Sequence, residues 1–180
     1  LIGRDTRVSG PELEQLLVES LTMMGYDVYR VGVVTTPGIS WLTKKFKMDF
    51  GVVISASHNP YQDNGIKLFD RNGFKLNTSE EKKIEKIFYD YRLLLCEKGD
   101  TFLFEAEINQ YKNFLKDKGV DLRGFKIILD CANGAAYQLA PQIFLELGAE
   151  VVVMNDVPSG SNINARCGAV YPEFLKSKIE

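Results

Sequence analysis

The residues with the clearest chemical potential lie at positions 55–67, where hydroxyl, amide, imidazole, carboxylate and ammonium groups occur close together. This segment contains the run SASHNP at residues 55–60, and Lys67 follows it. Phosphoryl transfer needs a nucleophile, positive charge around the transferred group and a proton carrier. Ser57 would be the nucleophile, and His58 and Lys67 are candidates for the other two tasks. Because Ser, Asn, Asp and Gly are also the usual turn formers, an ordinary polar loop remains the alternative.

A serine hydrolase is a second alternative on residue types alone. Ser57 and His58 are neighbours in the sequence, whereas the members of a catalytic triad meet in space, and no GxSxG motif is present. His58 is the only histidine of the chain. A lone histidine is more often structural than catalytic, so residue types leave its role open.

Two arginines offer a further candidate site. Arg4 and Arg7 follow the first predicted strand, and guanidinium groups bind anions such as phosphate with paired hydrogen bonds. The alternative for both is an ion pair with Asp5 or another nearby acid. Farther along, Asp130 fits a helix cap as well as a ligand site, and the loop at residues 158–164 shows no chemistry of its own.

Alternating strand and helix patterns predict the frame that positions these residues. The continuous apolar run at residues 50–54 is typical of a strand buried on both faces. Apolar side chains at helical spacing predict a helix that Ser9 caps and Gly25 ends. The alternation favours an α/β fold of three αβα layers around a mixed, mostly parallel sheet. Ligands of such sheets bind beyond the carboxyl ends of the strands, where Ser57 lies.

The rest of the chain predicts a hairpin and a second βαβ unit. The hairpin joins residues 66–69 to 74–76, and Ser79 is expected to cap the next helix. Residues 125–129 predict another buried strand, which a helix and a strand at 150–154 follow. We place the boundary between residues 92 and 110, which gives domains at 1–100 and 101–180. The chain begins in a strand without Met and ends in a helix, so we expect a fragment of a longer protein.

Composition and charge exclude several classes of protein. The net charge of −2 provides no electrostatic footprint for nucleic acid or an anionic membrane. No apolar run approaches the roughly 20 residues that cross a bilayer. The cysteines Cys96, Cys131 and Cys167 are odd in number and widely spaced, which argues against a disulfide framework or zinc site. They indicate reduced thiols in a cytoplasmic protein.

Four segments spread over nearly the whole chain resemble the α-D-phosphohexomutase family. The matching runs are GRDTRVSG at residues 3–10, VGVVTTPG at 31–38, SASHNP with DNGIK at 55–67, and LDCANGA at 129–135. Within the family, YQDNGIK at residues 61–67 and NINA at 162–165 with Cys167-Gly168 are similar to the bacterial phosphoglucosamine mutases.

The resemblance implies a mechanism centred on Ser57. This residue would be phosphorylated at rest, pass its phosphoryl group to glucosamine 6-phosphate and recover one from the resulting 1,6-bisphosphate. Glucosamine 1-phosphate would leave for cell-wall precursor synthesis. Lys67 would be the general acid/base, His58 a donor to the phosphate, and Arg4 and Asn59 substrate-binding residues.

The resemblance also implies cofactors and limits. Mg²⁺ would contact the phosphate of Ser57, and glucosamine or glucose 1,6-bisphosphate would act as the phosphorylating activator. The family's three-aspartate metal loop and its C-terminal phosphate-binding loop have no counterpart in this sequence. We therefore expect domain 1 without its first strand, an incomplete domain 2, and an inactive isolated chain. Open alternatives are a phosphoglucomutase or phosphomannomutase, and a module that only binds sugar phosphates; family members are often homodimers.

Overall fold

The computed structural model describes residues 1–89 and 97–179, and these ranges hold two β-sheets with helices packed on them. The strands are β1 (Ile2–Arg4), β2 (Val28–Val33), β3 (Phe50–Ile54), β4 (Ile66–Asp70), β5 (Thr101–Leu103), β6 (Lys126–Asp130) and β7 (Glu150–Met154). The helices are α1 (Gly10–Met23), α2 (Thr36–Lys45), α3 (Thr78–Tyr89), α4 (Ile108–Lys118), α5 (Leu139–Glu146) and α6 (Pro172–Lys176). A 3-10 turn covers Glu105–Glu107.

The first sheet carries the main core of the molecule. Its strand order is β4-β3-β1-β2-β5, and all pairs are parallel except β3 with β4. Val53 and Ile54 are fully buried, which confirms that β3 is covered on both faces. One apolar cluster lies under α1, and a second lies under α2 and α4. The predicted α/β fold with a mixed, mostly parallel sheet is therefore confirmed.

The start of α3 and the hairpin before it show one correction. Asn77 caps α3, because its Oδ1 accepts hydrogen bonds from the backbone N–H groups of Ser79 (2.9 Å) and Glu80 (3.1 Å). Glu80 returns a bond to the N–H of Asn77 at 2.9 Å, which completes a capping box. The prediction of Ser79 as the cap is therefore wrong. The hairpin is confirmed, since the N–H of Leu76 donates to the carbonyl of Leu68.

Ser9 also differs from its predicted role. It occupies the position before α1 but makes no side-chain bond to the helix. Its Oγ instead accepts a hydrogen bond of 2.5 Å from Asn64 Nδ2. Ser9 thus connects α1 to the loop between β3 and β4.

The second sheet pairs β6 with β7 in parallel and is more open than the first. The strand predicted at 125–129 is only half-buried, and Phe125 and Val152 are exposed. Within the described residues, β6 pairs with β7 alone, and α5 is the helix that packs on this sheet. Burial on both faces is therefore wrong for this strand.

The join between the two sheets runs through β5 and α4. β5 pairs with β2 in the first sheet, so this sheet extends past residue 100, and the division at that residue stays a prediction. α4 packs on both α2 and α5, with the Trp41 and Phe114 rings stacked 5.0 Å apart. Residues 92–96 of the predicted boundary segment, which include Cys96, lie outside the described residues. In the ranges described, no helix is long and apolar enough to span a membrane.

Candidate active site

Ser57 and Lys67 meet at the end of the β3–β4 hairpin. The loop at residues 55–65, hereafter the Ser57 loop, leaves β3 and returns as β4, and its ends are joined by the bond from Ser55 N–H to Gly65 O (2.8 Å). Antiparallel pairing sets Lys67 opposite Val53. As a result Lys67 Nζ lies 2.5 Å from the Oγ of Ser57, which is exposed to solvent. The pairing thus places a cation against the hydroxyl predicted to carry the phosphoryl group.

The backbone of Ser57 adopts a conformation that few non-glycine residues take. Its φ is +55°, in the left-handed region, and its N–H donates to Ser55 Oγ at 3.1 Å. Such a conformation costs on the order of 1–3 kcal/mol and persists only where the surroundings hold it. Strain of this kind concentrates at functional sites, which makes Ser57 the outstanding residue of the loop.

A buried guanidinium holds the Ser57 loop from below. Arg7 is only 1% exposed, and its Nε lies 2.9 Å from Asp5 Oδ2. Its two Nη atoms donate to four carbonyl oxygens of the loop, those of Ser57, Asn59, Pro60 and Asp63. Of the two alternatives for Arg7, the structure therefore shows the ion pair with Asp5. The sequence signal was an arginine two residues after an acid at a strand end, but the four carbonyl partners are distant in sequence.

Arg4 occupies different surroundings. Its Nε lies 2.9 Å from Glu14 Oε2, while the other oxygen of this buried carboxylate binds Arg30 at the same distance. Arg4 lines a separate cavity of about 400 Å³, together with Gly32 and Glu105, and is not among the residues that line the cleft at Ser57. The substrate-binding role of Arg4 stays a prediction.

The cleft beside Ser57 forms where strand ends of both sheets meet. It has a volume of about 400 Å³, and residues that follow β1, β2, β3 and β6 line it. Ser57 and His58 face it together with Thr35 and Asp130. The exposed His58 side chain has no hydrogen bond or ion pair to any residue of the described ranges, so its imidazole is available to a ligand. Asn59 lies on the same loop, but its amide donates to Asp63 Oδ2 at 2.9 Å.

The opposite wall of the cleft comes from residues 155–168, hereafter the Asn164 loop. Asn164 Nδ2 donates to the carbonyls of Ser57 (2.9 Å) and Asn59 (3.2 Å). Asp130 fixes the loop, because its oxygens accept bonds from Asn155 Nδ2 and from the N–H of Gly168. Asp130 therefore does not cap the following helix, and the segment at residues 158–164 contacts the candidate nucleophile through Asn164.

The cleft also contains a thiol. Burial, followed by the nearby carboxylates of Asp156 and Asp130, raises the pKa of Cys131 to about 11. The thiolate is the reactive form of cysteine, so Cys131 is protonated and a poor nucleophile at neutral pH. Ser57 remains the candidate nucleophile.

A metal ion bound by the protein alone would need several ligating side chains close together among the described residues. These residues contain no group of three His, Cys, Asp or Glu side chains able to hold an ion. The described side chains at the cleft therefore do not by themselves form a Mg²⁺ site.

Comparisons with known proteins match the chain to one enzyme family. The phosphoglucomutase/phosphomannomutase alpha/beta/alpha domain I family matches residues 1–93. A phosphoglucosamine mutase of Syntrophotalea carbinolica is 49% identical over the whole chain, which covers 41% of that relative. One of Desulforamulus reducens is 49% identical over 99% of the chain and 42% of the relative. The chain thus spans about two fifths of their length.

A solved structure shows the same fold. A phosphoglucomutase/phosphomannomutase family protein from Burkholderia thailandensis superposes with a TM-score of 0.85 at 28% identity. The match covers 98% of this chain and 40% of that protein. Together with the domain I match over residues 1–93, this shows that the chain belongs to the phosphoglucomutase/phosphomannomutase family.

Proposed function

We propose that the full-length protein containing this chain is an intramolecular phosphotransferase that converts glucosamine 6-phosphate to glucosamine 1-phosphate for UDP-N-acetylglucosamine synthesis. The observation that carries the proposal is the 2.5 Å contact between Lys67 Nζ and the exposed Ser57 Oγ. The choice of sugar rests on the relatives that are phosphoglucosamine mutases.

The first transfer moves a phosphoryl group from Ser57 to the sugar. The 1-hydroxyl of glucosamine 6-phosphate attacks the phosphorus, the bond from phosphorus to Ser57 Oγ breaks, and a 1,6-bisphosphate forms. The net reaction moves one proton from the sugar hydroxyl to Ser57 Oγ. Lys67 would carry this proton, and the contact of its Nζ with Ser57 Oγ supports that role.

The second transfer reverses these roles. The intermediate turns so that its 6-phosphate faces Ser57, whose Oγ attacks the phosphorus while the bond from phosphorus to the sugar 6-oxygen breaks. Lys67 would carry the proton from Ser57 Oγ to that leaving oxygen. Glucosamine 1-phosphate leaves, and Ser57 is phosphorylated again. His58 lines the same cleft and would donate to the phosphoryl oxygens, and the neighbouring Asn59 would contact the sugar phosphate.

Mg²⁺ would act on the phosphate of Ser57 in the full-length protein. A bound divalent ion withdraws charge from a phosphoryl group, which eases the approach of a second oxygen. Because the described residues contain no metal-holding cluster, the contribution of this chain would be the phosphoserine oxygen. Glucose or glucosamine 1,6-bisphosphate would load Ser57 when its phosphoryl group is lost.

Mass spectrometry of the full-length protein tests the proposal directly. Incubation with glucose 1,6-bisphosphate should add about 80 Da, and peptide mapping should place the group on Ser57. The Ser57→Ala variant is the control and should not be labelled. A wild-type protein that never gains phosphate at Ser57 would overturn the proposal and favour a module that only binds sugar phosphates.

Turnover measurements then separate the possible sugars. Glucosamine 6-phosphate should be the best substrate among the glucosamine, glucose and mannose 6-phosphates. A preference for glucose or mannose would assign a phosphoglucomutase or phosphomannomutase. The chain alone is expected to lack turnover, and mutase activity by these 180 residues would contradict that expectation.

A further inference from the structure

Two side chains from distant segments converge on the same two carbonyl oxygens. The carbonyl of Ser57 accepts from Arg7 Nη2 at 3.0 Å and from Asn164 Nδ2 at 2.9 Å. The carbonyl of Asn59 accepts from the same two atoms at 3.1 and 3.2 Å. Arg7 lies below the Ser57 loop in the part of the molecule built on the first sheet, hereafter the first unit, whereas Asn164 reaches the loop from the part built on β6 and β7, hereafter the second unit.

These bonds determine where the side chain of Ser57 points. The peptide before Ser57 is held by its N–H bond to Ser55 Oγ at 3.1 Å. The peptide after it is held by the two donors on the Ser57 carbonyl. Because the two flanking peptide planes fix the direction of the Cα–Cβ bond, the side chain keeps only χ1 as a free torsion. Lys67 then selects the rotamer through its contact with Oγ.

Asn164 is itself held firmly by the second unit. Its backbone is in the left-handed region, with φ at +57°, and its N–H donates to the carbonyl of Ala132 at 2.9 Å. Two further hydrogen bonds join the two units. Val8 N–H donates to the carbonyl of Gly160 at 2.8 Å, and Thr6 Oγ1 donates to the carbonyl of Asn133 at 2.5 Å. A shift of the second unit would therefore move Asn164, and with it the two carbonyls of the Ser57 loop that Asn164 binds.

We propose that Asn164 is a positioning residue that sets the direction of Ser57 Oγ by holding its carbonyl, so that alignment of the phosphoryl carrier depends on docking of the second unit. The catalytic part of this inference rests on the proposed function. The two hydrogen bonds from Asn164 to the carbonyls of Ser57 and Asn59, hereafter the clamp, are a structural feature and can be tested without turnover.

The left-handed backbone of Asn164 suggests clean variants. Asn164→Gly removes the donor and suits a φ of +57°, so it should fold. Asn164→Asp keeps the shape but turns an acceptor toward two carbonyls. Arg166→Gly is the matched control, because Arg166 lies two residues away with φ at +56° and its exposed side chain does not line the cleft.

Hydrogen–deuterium exchange of the full-length protein tests the clamp. Amides of the Ser57 loop should exchange about tenfold faster in Asn164→Gly, because the loop opens more often when two bonds to it are lost. They should keep the wild-type rate in Arg166→Gly. An unchanged exchange rate in Asn164→Gly, or loss of its overall fold, would overturn the inference.

Kinetics on glucosamine 6-phosphate test the consequence. In Asn164→Gly, kcat should fall about tenfold while KM stays within twofold, since both hydrogen bonds of the Asn164 amide go to the backbone of the Ser57 loop. In Asn164→Asp, kcat should fall further. A raised KM with normal kcat, or normal values of both, would overturn the positioning role. If wild-type Ser57 never takes up phosphate but the exchange result holds, the proposed function fails and the clamp stands.

Discussion

The two loops that meet at the cleft are held by opposite chemistry. In the Ser57 loop, a buried cation gathers carbonyl oxygens, because Arg7 binds four of them and is balanced by Asp5. In the Asn164 loop, the carboxylate of Asp130 gathers donors, including Asn155 Nδ2 and the N–H of Gly168. Each loop is thus held by one charged residue that lies outside it, and the two charges are of opposite sign.

The loops differ in how widely their support is spread. The Ser57 loop depends mainly on the side chain of Arg7, which is fully enclosed. The Asn164 loop also uses Asn133, whose Oδ1 accepts from Val157 N–H, and Asn162, which bonds to the backbone of Val157 and Ser159. Concentrated support makes the Ser57 loop well defined but vulnerable to one substitution, whereas distributed support should tolerate single losses.

Removal of Arg7 should give the largest effect. Arg7→Met leaves the buried carboxylate of Asp5 without its partner and releases four carbonyls, which should cost about 3–5 kcal/mol. Urea unfolding of the full-length protein, followed with a probe in this domain, measures the loss. Arg7→Lys should restore little of it, since one ammonium cannot reproduce the guanidinium fork.

The double variant Asp5→Asn with Arg7→Met provides the control. It removes the orphaned charge and should recover part of the lost stability, while the loop carbonyls stay unpaired. If the free energy of unfolding of Arg7→Met lies within 1 kcal/mol of the wild-type value, the Ser57 loop does not depend mainly on Arg7.

Replacement of Lys67 should lower the rate of the reaction without lowering the stability of the protein. Lys67→Met removes the cation next to Ser57 Oγ, and loss of a proton carrier lowers kcat by about 10²–10⁴-fold. Stability should change little, because Lys67 is partly exposed and its Nζ contacts a solvent-facing hydroxyl. Rapid-quench measurement of phosphoryl transfer from labelled Ser57 checks the rate. A normal rate in Lys67→Met would remove this residue from the mechanism.

Asp130→Asn tests the distributed support of the other loop. An asparagine can still accept at Oδ1, but its amide would face the Gly168 N–H that now donates to Oδ2 at 2.7 Å. We expect a loss of about 1–2 kcal/mol, well below that of Arg7→Met. Urea unfolding under identical conditions compares the two. Equal losses of stability would show that each loop depends on a single residue.

Local signals in the sequence predicted the frame well. The apolar run at residues 50–54 predicted a strand with a polar loop at its carboxyl end, and the hairpin that follows was also visible. The second strand at 125–129 had the same apolar character, yet its burial was overestimated. Hydropathy reports what a strand can bury, while actual burial depends on which neighbours cover it.

Contacts between distant segments could not be predicted from the sequence. The bond between Asn164 and the carbonyl of Ser57 joins residues 107 positions apart, and a carbonyl partner leaves no mark in the residue types. Arg7 was recognised as a cation near a strand end, but side-chain type could not show that it binds backbone rather than ligand. The cap of α3 was missed by two residues, because Asn77 and Ser79 are both good capping residues.

A dependence of stability on pH is expected at Cys131, which lies in the cleft beside the Asn164 loop. Burial holds the pKa of Cys131 at about 11 in the folded protein, above its ordinary value of 9.0. Since the folded state keeps its proton over this range and the unfolded state loses it, stability falls as pH rises from 9 to 11. Cys131→Ala should make this fall less steep, whereas the Ser57 loop offers no cysteine and Ser57→Ala should leave the fall unchanged. Urea unfolding at pH 8, 9.5 and 11 measures this difference, and identical curves for wild type and Cys131→Ala would show that the thiol is not buried as the structure has it.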